Sequence, residues 1–104
     1  MSDPVYMIGL IDVKDFDTYA VEYGMPVGVM FADIGAEIIV ASRDAEILEG
    51  TWQGNWTVVV KVPSAEAARE LYESDRYAPF RAARQSALAS STSLAIFPAL
   101  APGP

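Results

Sequence analysis

Chemistry in this chain falls to arginine, tyrosine, carboxylate, lysine and serine, because the sequence contains no histidine and no cysteine. The usual zinc ligand sets, the axial histidine of haem pockets, Ser-His and Cys-His dyads and imidazole acid–base catalysis are thereby removed. Arg84 is the first candidate. It belongs to a segment whose apolar positions Phe80, Ala83, Ala87 and Leu88 must pack on a sheet, and it follows Phe80 by four residues, over the buried side. A guanidinium so placed needs a carboxylate such as Glu49, or an anionic ligand.

Around Arg84 a working site can be assembled from the remaining polar and aromatic residues. Arg84 or Arg43 would stabilise an enolate or phenolate, and Glu49 or Asp12 would move a proton. Tyr19, Tyr23, Trp52, Trp56 and Tyr77 would bind and orient the substrate. Each has a plainer role open to it. A buried tyrosine hydroxyl needs only some partner, so Tyr19 and Tyr23 serve equally as core residues. Trp52 and Trp56 can close a hairpin, Arg81 and Arg84 can be solvated charges near a helix C-terminus, and Asp12 can fix the turn after its strand. Lys61, mid-strand, must snorkel, find an acidic partner or lose its charge to become catalytic.

Composition limits the partners. Fourteen Asp and Glu against seven Lys and Arg give a net charge of −7, which repels phosphate backbones and anionic lipid, so neither nucleic acid nor membrane is an expected partner. No apolar run approaches the ~20 residues needed to span a bilayer. The opening MSDPVYMI lacks the features of a secretion signal, and with no cysteine to staple a secreted fold the expected location is the cytoplasm. No metal or other cofactor is expected: only hard carboxylate sites remain, and no calcium-loop spacing occurs. The 104 residues suffice for one domain, expected over 1–98 with a flexible tail over 99–104.

The elements that must position these residues can be read in order. Val5–Val13 is apolar on both alternating faces, a central strand covered on each side. Asp15 is a candidate N-cap for a helix carrying Phe16, Tyr19 and Tyr23, which Gly24-Met25-Pro26 should interrupt before a second helical piece over Val27–Ile34, with Gly35 as C-cap. Ala36–Ser42 and Trp56–Val62 are β-branched runs. Strand is expected to continue through Glu46-Ile47-Leu48, with Gln53-Gly54-Asn55 as a hairpin loop and Trp52 facing Trp56 across it. Ser64 caps a helix to about Glu73 with Ala67, Ala68, Leu71 and Tyr72 inward. A further helix, delayed or kinked at Pro79, runs from Ser74 or Asp75 to about Leu88, and Ser93–Pro98 forms a short last strand.

This succession is the split βαβ of ferredoxin-like α+β folds, an antiparallel βαββαβ sheet with helices on one face. The other face, equally apolar, predicts a homodimer closing an α/β barrel across a two-fold axis. Asp12-x-x-Asp15, Tyr19, Gly35, Glu49-Gly50-x-Trp52, Val62-Pro63-Ser64, Ala67-Ala68, Ser74-x-x-Tyr77 and Arg84 together resemble the small bacterial proteins catalogued as domain of unknown function 1330, within the dimeric α/β-barrel superfamily. The resemblance covers roughly residues 5 to 98. This chain departs from the family pattern at Ala41, where an arginine is usual and Arg43 follows two residues later, and at Trp56 and Lys61.

The resemblance implies no single activity, since the superfamily includes cofactor-free monooxygenases, isomerases, polyketide cyclases, haem-handling proteins and binding modules, and fold alone does not choose among them. Haem handling is disfavoured by the missing histidine. The expected function is therefore small-molecule binding, with or without metal- and haem-independent catalysis on a hydrophobic, aromatic or polyketide-like substrate; the alternative is a non-catalytic binding or assembly module. A cavity ringed by the candidate residues would favour the former, a solid core the latter.

Overall fold

Alternation along one strand organises the protein. In the computed structural model, which describes residues 3–100, every odd-numbered residue of β1 (Val5–Val13) is buried and every even-numbered one only half-buried. β1 pairs antiparallel with β3 (Trp56–Val62) on one side and β4 (Ala89–Pro98) on the other, and β2 (Glu37–Ser42) lies outside β3. Among the described residues the sheet therefore has the order β2-β3-β1-β4. Val5, Met7, Val60 and Val62 form the centre of the core, closed from above by Ala68. All helices cover this face.

The opposite face follows from the register. Ile8 stands between Val59 and Ala95, Tyr6 between Lys61 and Phe97, and Leu10 between Thr57 and Ser93. Val40 extends the apolar stripe from β2, opposite Val59. Lys61 is exposed, directly across from Glu37 in the register, so its ammonium stays in water.

The helical layer begins where Asp15 accepts a hydrogen bond from the Thr18 N–H at 3.1 Å. Gly24-Met25-Pro26 does not interrupt the helix as expected. Instead α1 (Phe16–Tyr19) runs through a π-helical segment, Ala20–Gly24, into α2 (Met25–Asp33). Pro26 has no N–H and its ring would collide with the carbonyl four residues back; the wider π turn, with the Met25 N–H bonded to the Ala20 carbonyl, shifts the bonding register just before Pro26 and lets the helix pass it unbroken. Gly35, at φ +74°, follows the end of α2 as a left-handed cap. Ser64 caps α3 (Ala65–Glu73) through the Ala67 N–H at 3.0 Å. α4 (Ala78–Arg84) is shorter than the expected helix, leaving Ala87 exposed.

Two further expectations need correction. Residues 43–55 form no strand, so the hairpin and its Trp52–Trp56 pair do not exist; β2 and β3 pair directly across this long loop. Asn55 is used elsewhere: its Oδ1 accepts from the Val13 N–H at 2.8 Å, its Nδ2 donates to the Val13 carbonyl at 3.0 Å, and its own N–H donates to the Ile11 carbonyl at 3.0 Å. The side chain imitates a strand backbone and pins the loop to β1. β4 also begins at Ala89, earlier than Ser93, because β1 offers partners as far as Val13. Of the expected tail, residues 101–104 lie outside the described residues.

Gly54 permits the pinning, being at φ +79° with its missing Cβ position only 2.5 Å from the Ile11 carbonyl oxygen. Gly54→Ala should accordingly lower stability by about 2–4 kcal/mol through backbone strain and a displaced Asn55. Urea unfolding measures this, and an unchanged midpoint would show that the loop is not held as described.

Candidate functional site

A cavity of about 50 Å³ lies between the helix-covered face of the sheet and the helical layer. Gly9 floors it: the absent side chain opens the middle of β1, where an added Cβ would touch Leu94 at 3.5 Å and Ile11 at 3.6 Å. Tyr19, Tyr23, Tyr77 and Arg84 line it. Tyr19 closes α1, Tyr23 lies in the π-helical segment, and their rings stack at 5.0 Å. Tyr77 is held by the turn before α4, in which the Ser74 hydroxyl donates to the Leu71 carbonyl at 2.7 Å and accepts from the Tyr77 N–H at 3.1 Å. That is the structural content of the Ser74-x-x-Tyr77 motif. The Tyr23 and Tyr77 hydroxyls hydrogen-bond to each other.

Arg84, the last residue of α4, is 2% exposed. Its Nε and Nη2 are buried without a hydrogen-bond partner among the described residues. Its Cζ lies 5.9 Å from the Tyr23 ring centre, at the outer range of a cation–π contact. Burial works against the guanidinium's charge; the Tyr23 and Tyr77 hydroxyls, near it without meeting hydrogen-bond geometry at Nε or Nη2, work for it, and the net direction is upward. Arg84 stays cationic. Burial also pushes the Tyr19 and Tyr23 phenols well above their ordinary value of 10.0, Arg84 opposing the rise at both.

A raised phenol pKa means that the folded state holds its proton more tightly than the unfolded chain. The associated stability is complete below pH 10.0 and is lost as pH climbs toward the folded-state values. We therefore expect Tyr19 and Tyr23 to remain protonated in an ultraviolet titration beyond the pH at which ordinary tyrosines ionise, and then to ionise together with alkaline unfolding. Ionisation of Tyr19 and Tyr23 near pH 10.0 in folded protein would contradict that burial.

A second compartment of about 290 Å³ adjoins the first, with Tyr19, Tyr23, Phe31 and Val58 lining both. Its remaining wall is apolar, including Phe16, Val27, Ile38 and Trp56. Trp56 meets Phe16 edge-on at 5.7 Å, and Arg43 lies over the same Phe16 ring at 4.4 Å. The two compartments share Tyr19, Tyr23, Phe31 and Val58 as their common boundary; the inner one holds Arg84 and the tyrosine hydroxyls, and the outer one is apolar.

Four of the candidate residues, Tyr19, Tyr23, Tyr77 and Arg84, converge on the inner cavity; Trp56 lines the outer compartment, while Arg43 touches Phe16 of its wall without lining it. The others do not join them. Glu49 is exposed in the 43–55 loop and does not reach Arg84, so the expected carboxylate partner is absent from the cavity. Asp12, an even-numbered residue of β1, points to the helix-free face, as alternation requires. Trp52 lies near that face as well, its Nε1 donating to the Thr57 hydroxyl at 3.0 Å, while neighbouring Gln53 donates to the Ser93 hydroxyl at 3.0 Å. Gly9 and Phe31 were not anticipated as lining residues; the isolated glycine in an apolar strand was the available signal. Among the described residues no group of three or more Asp or Glu side chains is arranged to hold a metal ion.

The strand order and one-sided helices define a ferredoxin-like α+β protein. A solved structure of a protein of unknown function from Rhodopseudomonas palustris shares the fold at a TM-score of 0.75 and 19% identity, over 98% of this chain and 86% of that one. The methylated form of that protein aligns at a TM-score of 0.75 and 18% identity, over 100% and 86% of the two chains. The chain belongs to the family described as domain of unknown function (DUF1330), which matches residues 4–98. No curated protein matches it.

Proposed function

We propose that this protein is a homodimeric small-molecule-binding protein whose ligand enters the recess between sheet and helices and meets Arg84 at its inner end. The carrying observation is the buried guanidinium with two unpartnered donors facing tyrosines and no carboxylate. Leaving buried donors unmade costs about 1–3 kcal/mol each, a penalty that a bound acceptor relieves. The apolar outer compartment suits a hydrophobic, aromatic or polyketide-like body.

Binding is better supported than catalysis. Proton transfer is most efficient from a group whose pKa lies near the working pH, yet Glu49 and Asp12 lie outside the recess and burial drives Tyr19 and Tyr23 the wrong way for a base. Arg84 is placed to stabilise an enolate or phenolate formed by an activated substrate, which keeps a metal- and haem-independent monooxygenase, isomerase or cyclase as the catalytic form of this reading. The dimer is supported by the apolar stripe on the helix-free face, which includes Phe97 at 49% and Val40 at 39% exposure. Native mass spectrometry of freshly purified protein tests both parts: a mass of two chains with bound small molecule is expected. A ligand-free protein that also binds nothing from a hydrophobic metabolite extract would defeat the binding reading, and a single-chain mass would defeat the dimer.

A further inference from the structure

We propose that the ligand is a small monocarboxylate with an apolar body, its carboxylate held side-on by Arg84; this rests on the recess being a ligand site. In a guanidinium the Nε and Nη2 hydrogens leave the same edge of the planar group, parallel and spaced to meet two oxygens of one carboxylate. Those are the two Arg84 atoms that are buried and unpartnered. One entire edge of the fork is free, and a planar two-oxygen acceptor fills such an edge with two charge-assisted bonds.

Charge and volume narrow the class. Among the described residues Arg84 is the single cation lining either compartment, so it balances one negative charge. A phosphate dianion would bring a second, uncompensated charge into an apolar cavity. The inner cavity, about 50 Å³, is several times the roughly 10–15 Å³ that one water needs, which admits a carboxylate and its adjoining carbon but little else. The body must continue past Tyr19 and Tyr23 into the compartment of about 290 Å³ between Phe16, Val27, Ile38 and Trp56. The Tyr23–Tyr77 hydrogen bond engages one phenolic proton of that pair and leaves the other to donate to an acceptor in the cavity. Both ends of the recess therefore favour an aromatic or short aliphatic acid.

Calorimetric titration of the wild-type protein with 3-phenylpropanoate and hexanoate, each beside its primary amide, tests the assignment. Both acids should bind, and each amide should bind about tenfold more weakly or worse, because it loses the charge and one acceptor oxygen. Arg84→Gln should weaken acid binding by about 10–100-fold. Amides binding as tightly as the acids, phenylphosphonate binding more tightly than 3-phenylpropanoate, or a folded Arg84→Gln variant retaining full affinity would overturn the carboxylate assignment and leave the binding reading intact. No binding of either acid or amide would overturn the carboxylate assignment; the binding reading falls with it only if native mass spectrometry also finds no small molecule on the protein. Should Arg84→Gln fail to fold, the acid–amide comparison in the wild type decides by itself.

Discussion

Arg84→Met is expected to raise the stability of the ligand-free protein while abolishing its affinity for an acidic ligand. A methionine fills similar space with no donors to satisfy, so the change removes the desolvation cost of a charge and two unpartnered N–H groups. Against this stands the loss of the contact with the Tyr23 ring, about 1 kcal/mol at the observed 5.9 Å. The net gain should be about 1–3 kcal/mol, each kcal/mol moving the melting temperature by roughly 4–8 °C in a domain of this size. Had Glu49 or another carboxylate been paired with Arg84, its truncation would instead cost about 3–5 kcal/mol. Thermal melts of the two proteins without ligand therefore separate the arrangements by sign. A large loss in the variant would mean that the guanidinium is a structural element, with a partner not yet accounted for.

The second large effect belongs to the opposite face of the sheet. Ile8→Glu should convert an assembly of twice the 11.2 kDa chain mass into monomers at micromolar concentration. Ile8 is central to the apolar stripe, flanked by Val59 and Ala95, so two-fold symmetry would bury a glutamate from each copy without a cationic partner. Several kcal/mol of destabilisation falls on the interface alone, equivalent to about a hundredfold or more in dissociation constant. Light scattering coupled to gel filtration gives the mass directly. If the wild-type protein is itself a stable monomer, the stripe is not an interface between copies.

How far the sequence could be read depended on the range of the interaction involved. β1 was legible from Val5 to Val13 because a strand apolar on both faces announces its own limits, and Asp15, Gly35 and Ser64 were legible because a cap acts over three or four residues. The 43–55 loop was not. Ile47 and Leu48 look like strand, and Gly54-Asn55 looks like a turn, but Asn55 bonds to Val13, forty-two residues away. Local pattern carries no trace of that partner. β4 was underestimated for a related reason, since Ser90, Ser91 and Thr92 are recruited by β1 rather than by their own propensity. For the site, the spacing from Phe80 placed Arg84 on the buried side correctly. Its surroundings were beyond reach, because whether Glu49 or a ring of tyrosines meets the guanidinium depends on four elements docking together.

The two tryptophans, separated by only four positions, report on different events. Trp56 stands on the helix-covered side against Phe16 and borders the outer compartment, whereas Trp52 is tied to Thr57 beside the uncovered face. A ligand in the recess would alter the surroundings of Trp56, and a second copy on the uncovered face those of Trp52. Trp52→Phe and Trp56→Phe each leave a single emitter, so parallel titrations of the two variants would follow occupancy and self-association separately, and any energetic communication between them would appear as one emission responding to the other's titrant.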